Sequence, residues 1–168
     1  DLAPFAELTP EALRSDARLF EPEPEIRWIA DDRTNYASAN FEGESEDPGA
    51  ALYYWLGDDA DDVSLTVYQG HVPVSVLEAS GAAGLHKVQW DLTRRIERSA
   101  EEQERMREEL EEGGGGFFRR GGPSREERIR YEMSDAPPGE YRVVLVVGGA
   151  EHARTLTVMK DEWWEERR

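Results

Sequence analysis

The stretch Gly84-Leu85-His86-Lys87-Val88-Gln89-Trp90-Asp91-Leu92 indicates the fold class. His86, Val88, Trp90 and Leu92 occupy one set of alternate positions, and polar Lys87, Gln89 and Asp91 occupy the other. This period of two is typical of a half-buried β-strand. Burying roughly 200 Å² of Trp90 is worth on the order of 5 kcal/mol before conformational entropy is subtracted. We therefore predict that one face of the strand enters a core and that Trp90 anchors it.

Other short apolar segments, separated by turn residues, surround this stretch. Residues 63–68, 72–76, 141–147 and 153–159 alternate in the same way, whereas residues 50–56 are apolar on both faces. The last pattern favours a strand covered on both sides, with the preceding segment as one cover. Pro73 cannot donate to a β-ladder, so its strand is predicted to lie at an edge or to turn that position outwards. Six such strands without long helices between them predict an all-β, antiparallel sandwich.

The remaining segments predict appendages to this sandwich. Residues 1–48 are predicted to form an extended N-terminal arm with a short helix at 10–14, because Thr9-Pro10-Glu11 is a helix-start pattern. The sandwich is predicted at 49–161, interrupted by an insertion at 93–135, and residues 162–168 are predicted to be a tail. Ser99 and Glu102 form a capping box before a charged helix that ends at Gly113. The glycine-rich residues that follow predict a flexible loop.

Charge and composition exclude several classes of function. The chain has 168 residues and a formal net charge of −17. Such a charge argues against binding to nucleic acid or to an anionic membrane surface. The absence of cysteine excludes disulfides and thiolate metal sites. No apolar run approaches the length of a membrane span, and the N-terminus lacks the regions of a signal peptide, so we expect no membrane insertion. Because the sequence starts on Asp1 without a methionine, we expect it to be a piece of a longer polypeptide.

Three segments together carry a family resemblance. They are Val63-Ser64-Leu65-Thr66-Val67-Tyr68, the stretch at 84–92, and Pro138-Gly139-Glu140-Tyr141-Arg142-Val143. Their order and spacing resemble the immunoglobulin-like module of the flagellar hook-capping type. The resemblance is closer to the version found after sortilin-type β-propellers of bacterial secreted proteins, which are often labelled neuraminidase-repeat proteins. Residues 8–11 and 19–22 are similar to that family's linker out of the propeller.

The resemblance implies an immunoglobulin-like sandwich in an exported protein, located extracellularly or in the periplasm. It implies an adjacent β-propeller domain, or a protein or peptide, as the partner. No propeller box of the type Ser-x-Asp-x-Gly-x-Thr-Trp occurs here, so the propeller's activity is not carried over. The family tolerates insertions where residues 93–135 stand, and the insertion therefore implies no shared function.

Candidate sites for chemistry are few. Asp58, Asp59, Asp61 and Asp62 offer hard oxygen ligands for Ca²⁺, although a solvated acidic loop explains the same residues. The three histidines, at positions 71, 86 and 152, have no ligand spacing, and no hydrolase, zinc-protease or phosphate-loop motif is present. We therefore predict no catalytic residue and no cofactor.

Candidate contact residues are aromatic and basic. Phe117, Phe118, Arg119 and Arg120 fall at the tip of the predicted loop, and Trp163 and Trp164 fall in the tail. Tyr53 and Trp55 suit a platform for a sugar or peptide, or alternatively packing beneath the arm. Together with these features, the resemblance implies a non-catalytic accessory module that packs against or positions a β-propeller and mediates protein or peptide contacts in an exported protein. The alternative is a carbohydrate-binding module associated with a glycoside hydrolase.

Overall fold

A computed structural model describes residues 7–28, 49–112 and 124–162. Within these ranges the chain is mostly β, which confirms the predicted all-β sandwich. The predicted helix at 10–14 is only a single 3-10 turn, Ala12–Arg14. The other elements, in chain order, are β1 (Ala17–Leu19), β2 (Glu25–Arg27), β3 (Ala50–Leu56), β4 (Val63–Gln69), β5 (Val72–Leu77), β6 (Gly84–Trp90), β7 (Thr93–Glu97), α1 (Ala100–Glu112), α2 (Arg125–Arg130), β8 (Tyr131–Asp135), β9 (Gly139–Val147) and β10 (Ala150–Lys160).

Two sheets form the sandwich, with strand orders β1-β3-β6 and β2-β10-β9-β4-β5. β7 and β8 pair only with each other in a separate ribbon. The described part of the N-terminal arm contributes one edge strand to each sheet: β1 pairs antiparallel with β3, and β2 pairs parallel with β10. The arm therefore belongs to the sandwich and ties its two sheets together along one side.

Trp90 is the largest fully buried side chain in the core. Its ring meets Tyr141 edge-on at a centroid distance of 5.1 Å. The Tyr141 hydroxyl donates a 2.6 Å hydrogen bond to the carbonyl of Pro137, four residues upstream. This bond ties the start of β9 to the turn that precedes it. Gly49 passes so close to the strand end that an added Cβ would lie 2.1 Å from the Trp90 carbonyl oxygen.

The predicted buried face of 84–92 is only partly buried. Trp90 and Leu92 are buried, but His86 and Val88 are half-exposed. The reason is that β6 is the edge strand of its sheet. The His86 ring stacks on Tyr54 at 4.9 Å and so closes the rim of the core. Leu92 lies beyond the strand with φ of 55°, a left-handed conformation that turns the chain out of the sheet.

The prediction for Pro73 is confirmed, because β5 is the outer strand of the five-stranded sheet. A register shift between Val67 and Tyr68 places Pro73 opposite Tyr68. The prediction that β3 is covered on both sides is only half right. Its even-numbered residues are buried, whereas Ala51, Tyr53 and Trp55 are half-exposed. The arm joins β3 along its edge as β1, and so leaves that second face partly open.

The insertion contains more structure than the sequence predicted. The capping box at Ser99 is present: the Glu102 amide donates to Ser99 Oγ at 3.3 Å, and the Ser99 amide donates to Glu102 Oε2 at 2.9 Å. A second capping box, Ser124 with Glu127, begins α2. The hydrogen bonds from Ser124 and Ser99 lower the pKa of Glu127 and Glu102, respectively. β7 and β8 flank both helices in a ribbon that we did not predict.

Replacing Trp90 tests the core directly. We expect Trp90→Ala to lower the free energy of unfolding by about 3–5 kcal/mol, because it leaves a cavity beside Tyr141. Val76→Ala is the matched control, since Val76 is 73% exposed on the edge strand, and it should change stability by less than about 0.5 kcal/mol. Urea unfolding followed by circular dichroism measures both. Equal losses for the two variants would contradict the assigned core.

Candidate functional site

A hairpin-like extension, formed by β7, α1, α2 and β8, is separate from the two sheets of the sandwich. We call these elements, residues 93–112 and 124–135, the extension. Between residues 93 and 135 the sequence has ten of the chain's 20 basic residues and 12 of its 37 acidic ones. The segment is therefore almost electrically balanced, whereas the rest of the chain carries most of the net charge of −17.

The first strand of the extension is fixed to the end of β6. Trp90 Nε1 donates to the Thr93 carbonyl at 3.1 Å, and Asp91 Oδ1 accepts from the Thr93 amide at 2.9 Å. Arg95 grips the same carboxylate with both terminal nitrogens, at 3.2 and 2.5 Å. Fork-to-fork pairing of this kind fixes orientation as well as distance. The chain therefore leaves the sandwich in a defined direction.

The returning strand is fixed by residues from elsewhere in the sandwich. Arg27 of β2 donates to Asp135 Oδ2 at 2.5 Å and to the Ala136 carbonyl at 3.4 Å. The Ala136 amide donates to the Leu92 carbonyl at 2.7 Å. Burial raises the pKa of the Tyr141 hydroxyl, although the nearby charges of Arg94 and Arg27 act in the opposite direction. Both strands of the ribbon are thus bonded to the core.

Asp91 is the titratable group at this junction with a lowered pKa. Partial burial alone would raise its pKa, but the hydrogen bonds from Arg95 and Thr93 and the positive charge of Arg95 outweigh burial. The same pairing raises the pKa of Arg95. The charged pair is therefore the favoured state of the junction at neutral pH.

Ion pairs and backbone bonds hold the helices to the ribbon. Arg130 binds Glu97 at 3.0 Å, and Arg125 of α2 reaches Glu111 of α1 at 3.5 Å.

Two clefts lie against these helices. The helix cleft has a volume of about 510 Å³ and is lined by Gln103, Arg107, Glu111, Arg125, Glu126, Ile129 and Arg130. The ribbon cleft has a volume of about 280 Å³ and is lined by Arg98, Met106, Arg128, Tyr131 and Met133.

The two clefts differ in the chemistry of their linings. The helix cleft presents guanidinium and carboxylate groups, whereas the ribbon cleft presents guanidinium groups, thioethers and an aromatic ring, which hold anions and apolar groups. Neither lining contains a histidine, serine or threonine. The sequence reading missed Arg98 and Arg128. The one signal in the sequence that could have pointed to them is the concentration of arginine between residues 93 and 135.

The four aspartates predicted as calcium ligands lie in the β3–β4 loop. Asp59 Oδ1 accepts from the Ala83 amide at 2.7 Å, and the Asp62 carbonyl accepts from the Gly148 amide at 3.0 Å. Among the described residues, no three acidic or histidine side chains converge as a metal site would require. The geometry observed for Asp58, Asp59, Asp61 and Asp62 is that of a loop fixed by hydrogen bonds to neighbouring turns.

The other predicted residues fall into two groups. Phe117, Phe118, Arg119, Arg120, Trp163 and Trp164 lie outside the described residues. Tyr53 and Trp55 lie on the partly open face of β3, where Lys87 is opposite Tyr53 and Leu85 is opposite Trp55. The histidines stay apart from one another, and His86 Nε2 bonds the Ala82 carbonyl at 2.6 Å.

Comparison with family models, with curated proteins and with solved structures finds no match. A search of the described part of the chain finds no helix with the length and apolar character needed to cross a membrane.

The junction should give a measurable pH dependence. Because the folded pKa of Asp91 is depressed, its contribution is fully present above the unfolded value of about 3.9 and is lost as the pH falls through the folded value. We expect Asp91→Asn to cost up to about 1 kcal/mol at pH 7, since the pair is partly exposed and screened. The difference from wild type in urea unfolding should shrink as the pH falls below about 4. A pH-independent difference would contradict the assigned pairing.

The register of the ribbon defines a minimal variant without helices. Glu97 is paired with Tyr131, so residues 98–130 can be replaced by Asn-Gly, a two-residue hairpin turn. We expect this shortened chain to unfold cooperatively, with a melting temperature within about 5 °C of wild type, because the junction and core remain intact. Loss of cooperative thermal unfolding, measured by circular dichroism, would show that the helices are part of the folding unit.

Proposed function

We propose that this chain is a non-catalytic β-sandwich accessory module that positions a β-propeller and mediates protein or peptide contacts in an exported protein. The observation that carries the proposal is the extension's junction. Hydrogen bonds from β6, β2 and the region before β9 hold a helical projection in a fixed direction. A projection that is already ordered loses little conformational entropy when it binds, which favours a role in recognition.

The arrangement of the strands is consistent with the immunoglobulin-like interpretation. The arm adds strands to both sheets. The bond from the Tyr141 hydroxyl to the Pro137 carbonyl, at the start of β9, resembles the tyrosine corner of immunoglobulin-type sandwiches. The order of strands also separates two surfaces. Ala17 begins β1 opposite Leu56, and Leu56 pairs with Gly84 at the end of β6 that is remote from Trp90. A propeller joined through the arm would therefore approach the end opposite the extension and leave the extension free for a second partner.

A carbohydrate-binding module is the second candidate. Tyr53 and Trp55 lie two residues apart on the partly open face of β3. Adjacent aromatic rings on a sheet face suit stacking against a sugar ring or a peptide. Binding on a glycan array that disappears in Trp55→Ala, or in Trp163→Ala and Trp164→Ala, would favour this candidate.

The leading proposal is tested by looking for the β-propeller and measuring whether it binds this chain. We expect the reading frame upstream of Asp1 to encode propeller repeats. The propeller, produced separately, should bind this chain in isothermal titration calorimetry with a Kd of about 10 μM or tighter. The shortened chain is the matched control and should bind equally, because the propeller is assigned to the opposite end. No propeller repeats upstream, no binding, or glycosidase turnover by the purified chain would each overturn the proposal.

A further inference from the structure

The ribbon cleft combines residues from both strands' ends and both helices. Arg98 follows β7, Met106 is on α1, Arg128 is on α2, and Tyr131 and Met133 are on β8. Its apolar part consists of two flexible, polarisable thioethers and one aromatic ring, which together can adapt to apolar side chains of different shapes. The cleft is therefore assembled by the fold of the extension.

The charges around this cleft are unbalanced. Within the described residues, Arg107, Arg125 and Arg130 each form an ion pair with a glutamate, but Arg98 and Arg128 form none. Arg98 Nε is buried and has no hydrogen-bond partner there. None of the described residues that line the cleft is acidic. A buried donor without a partner costs free energy, so an anionic group placed here would gain both a charge interaction and hydrogen bonds.

Backbone bonds hold the cleft in shape before any ligand enters. The Arg98 amide donates to the Arg130 carbonyl at 2.9 Å, and the Arg98 carbonyl accepts from Gln103 Nε2 at 2.9 Å. The Arg130 guanidinium lies 5.2 Å above the Tyr131 ring and keeps that ring in place. Positioned groups of this kind bind with a smaller entropic cost than groups that must first be ordered.

We propose that the ribbon cleft binds an acidic peptide segment that carries a bulky apolar side chain. The peptide's carboxylates pair with Arg98 and Arg128, and its apolar side chain packs between Met106, Met133 and Tyr131. This inference rests on the proposed role in protein and peptide contacts and names the class of partner. The argument for this occupant is charge complementarity, combined with a cleft volume that suits one or two side chains.

A peptide suits the cleft better than a polynucleotide does. Two guanidinium groups without ion pairs can bind two carboxylates, whereas nucleic-acid binding uses many cationic contacts along a basic surface. The chain's net charge of −17 repels a phosphate backbone at longer range. Thioethers and a tyrosine ring also match an apolar side chain.

The test is a fluorescence anisotropy titration of the full chain with a labelled peptide that places four glutamates around one phenylalanine. We expect saturable binding that weakens as salt is raised. Arg98→Gln and Arg128→Gln should each weaken binding about tenfold, the loss expected for a hydrogen bond to a charged group. Arg125→Gln is the matched control: it removes the same charge from α2, but outside this cleft, and should change the affinity less than about twofold.

The peptide controls separate charge from shape. Replacing the phenylalanine by serine should weaken binding about tenfold, and replacing the glutamates by lysines should abolish it. Unchanged melting temperatures would show that the arginine variants are folded. Equal affinities for wild type, Arg98→Gln and Arg128→Gln would overturn the proposal, as would absent binding to wild type or tighter binding of a single-stranded oligonucleotide than of the peptide.

This result is separable from the test of the accessory role. The propeller titration uses the end of the sandwich opposite the extension, whereas the peptide titration uses the extension alone. Propeller binding without peptide binding overturns the cleft assignment and leaves the accessory role standing. Peptide binding without propeller binding overturns the propeller role and leaves the cleft assignment standing.

Discussion

The hydrogen bond from the Trp90 indole to the Thr93 carbonyl joins the core of the sandwich to β7, the first strand of the extension. The indole is fully buried against Tyr141, so packing fixes its position. Because the indole is fixed, its hydrogen bond also fixes the position of Thr93, the first residue of β7. Leu92 supplies the turn between them at φ of 55°, which is costly for a leucine. Burial of its side chain and the Ala136–Leu92 backbone bond offset this cost.

The distribution of charge differs between the sandwich and the extension. The sandwich carries most of the acidic excess. Its described ion pairs include Arg18 with Glu7, Arg142 with Glu151 and Arg154 with Glu21. The segment from residue 93 to residue 135 instead holds half of the basic residues. Three of the five arginines in its two helices, Arg107, Arg125 and Arg130, pair with glutamates. Arg98 and Arg128 line the ribbon cleft and, like Arg94 and Arg105, form no ion pair among the described residues. This local imbalance gives the ribbon cleft its chemical preference within a strongly acidic chain.

Alternation allowed the sandwich to be predicted, because β4, β9 and β10 each present one apolar face to a core. The same rule missed β7 and β8, whose sequences Thr-Arg-Arg-Ile-Glu and Tyr-Glu-Met-Ser-Asp have polar groups on both faces. β7 is held by the local Arg95–Asp91 pair. β8 is held by bonds from Arg27 to Asp135 and from Ala136 to Leu92, which join residues far apart along the chain and are invisible to a local pattern. The cleft was hidden for the same reason, since the ribbon and two helices bring Arg98 and Arg128 together across thirty residues.

The form of the junction determines how far the extension can vary. Several of its bonds use backbone groups, at Leu92, Thr93 and Ala136, and backbone groups are present whatever the side chain. The side chains that contribute are those of Trp90, the Asp91–Arg95 pair and the Arg27–Asp135 pair, all outside the helices. Residues of α1 and α2 can therefore change with little effect on the sandwich, because surface positions away from caps and cores contribute little to stability. The sandwich can therefore keep its structure while residues on the two helices change.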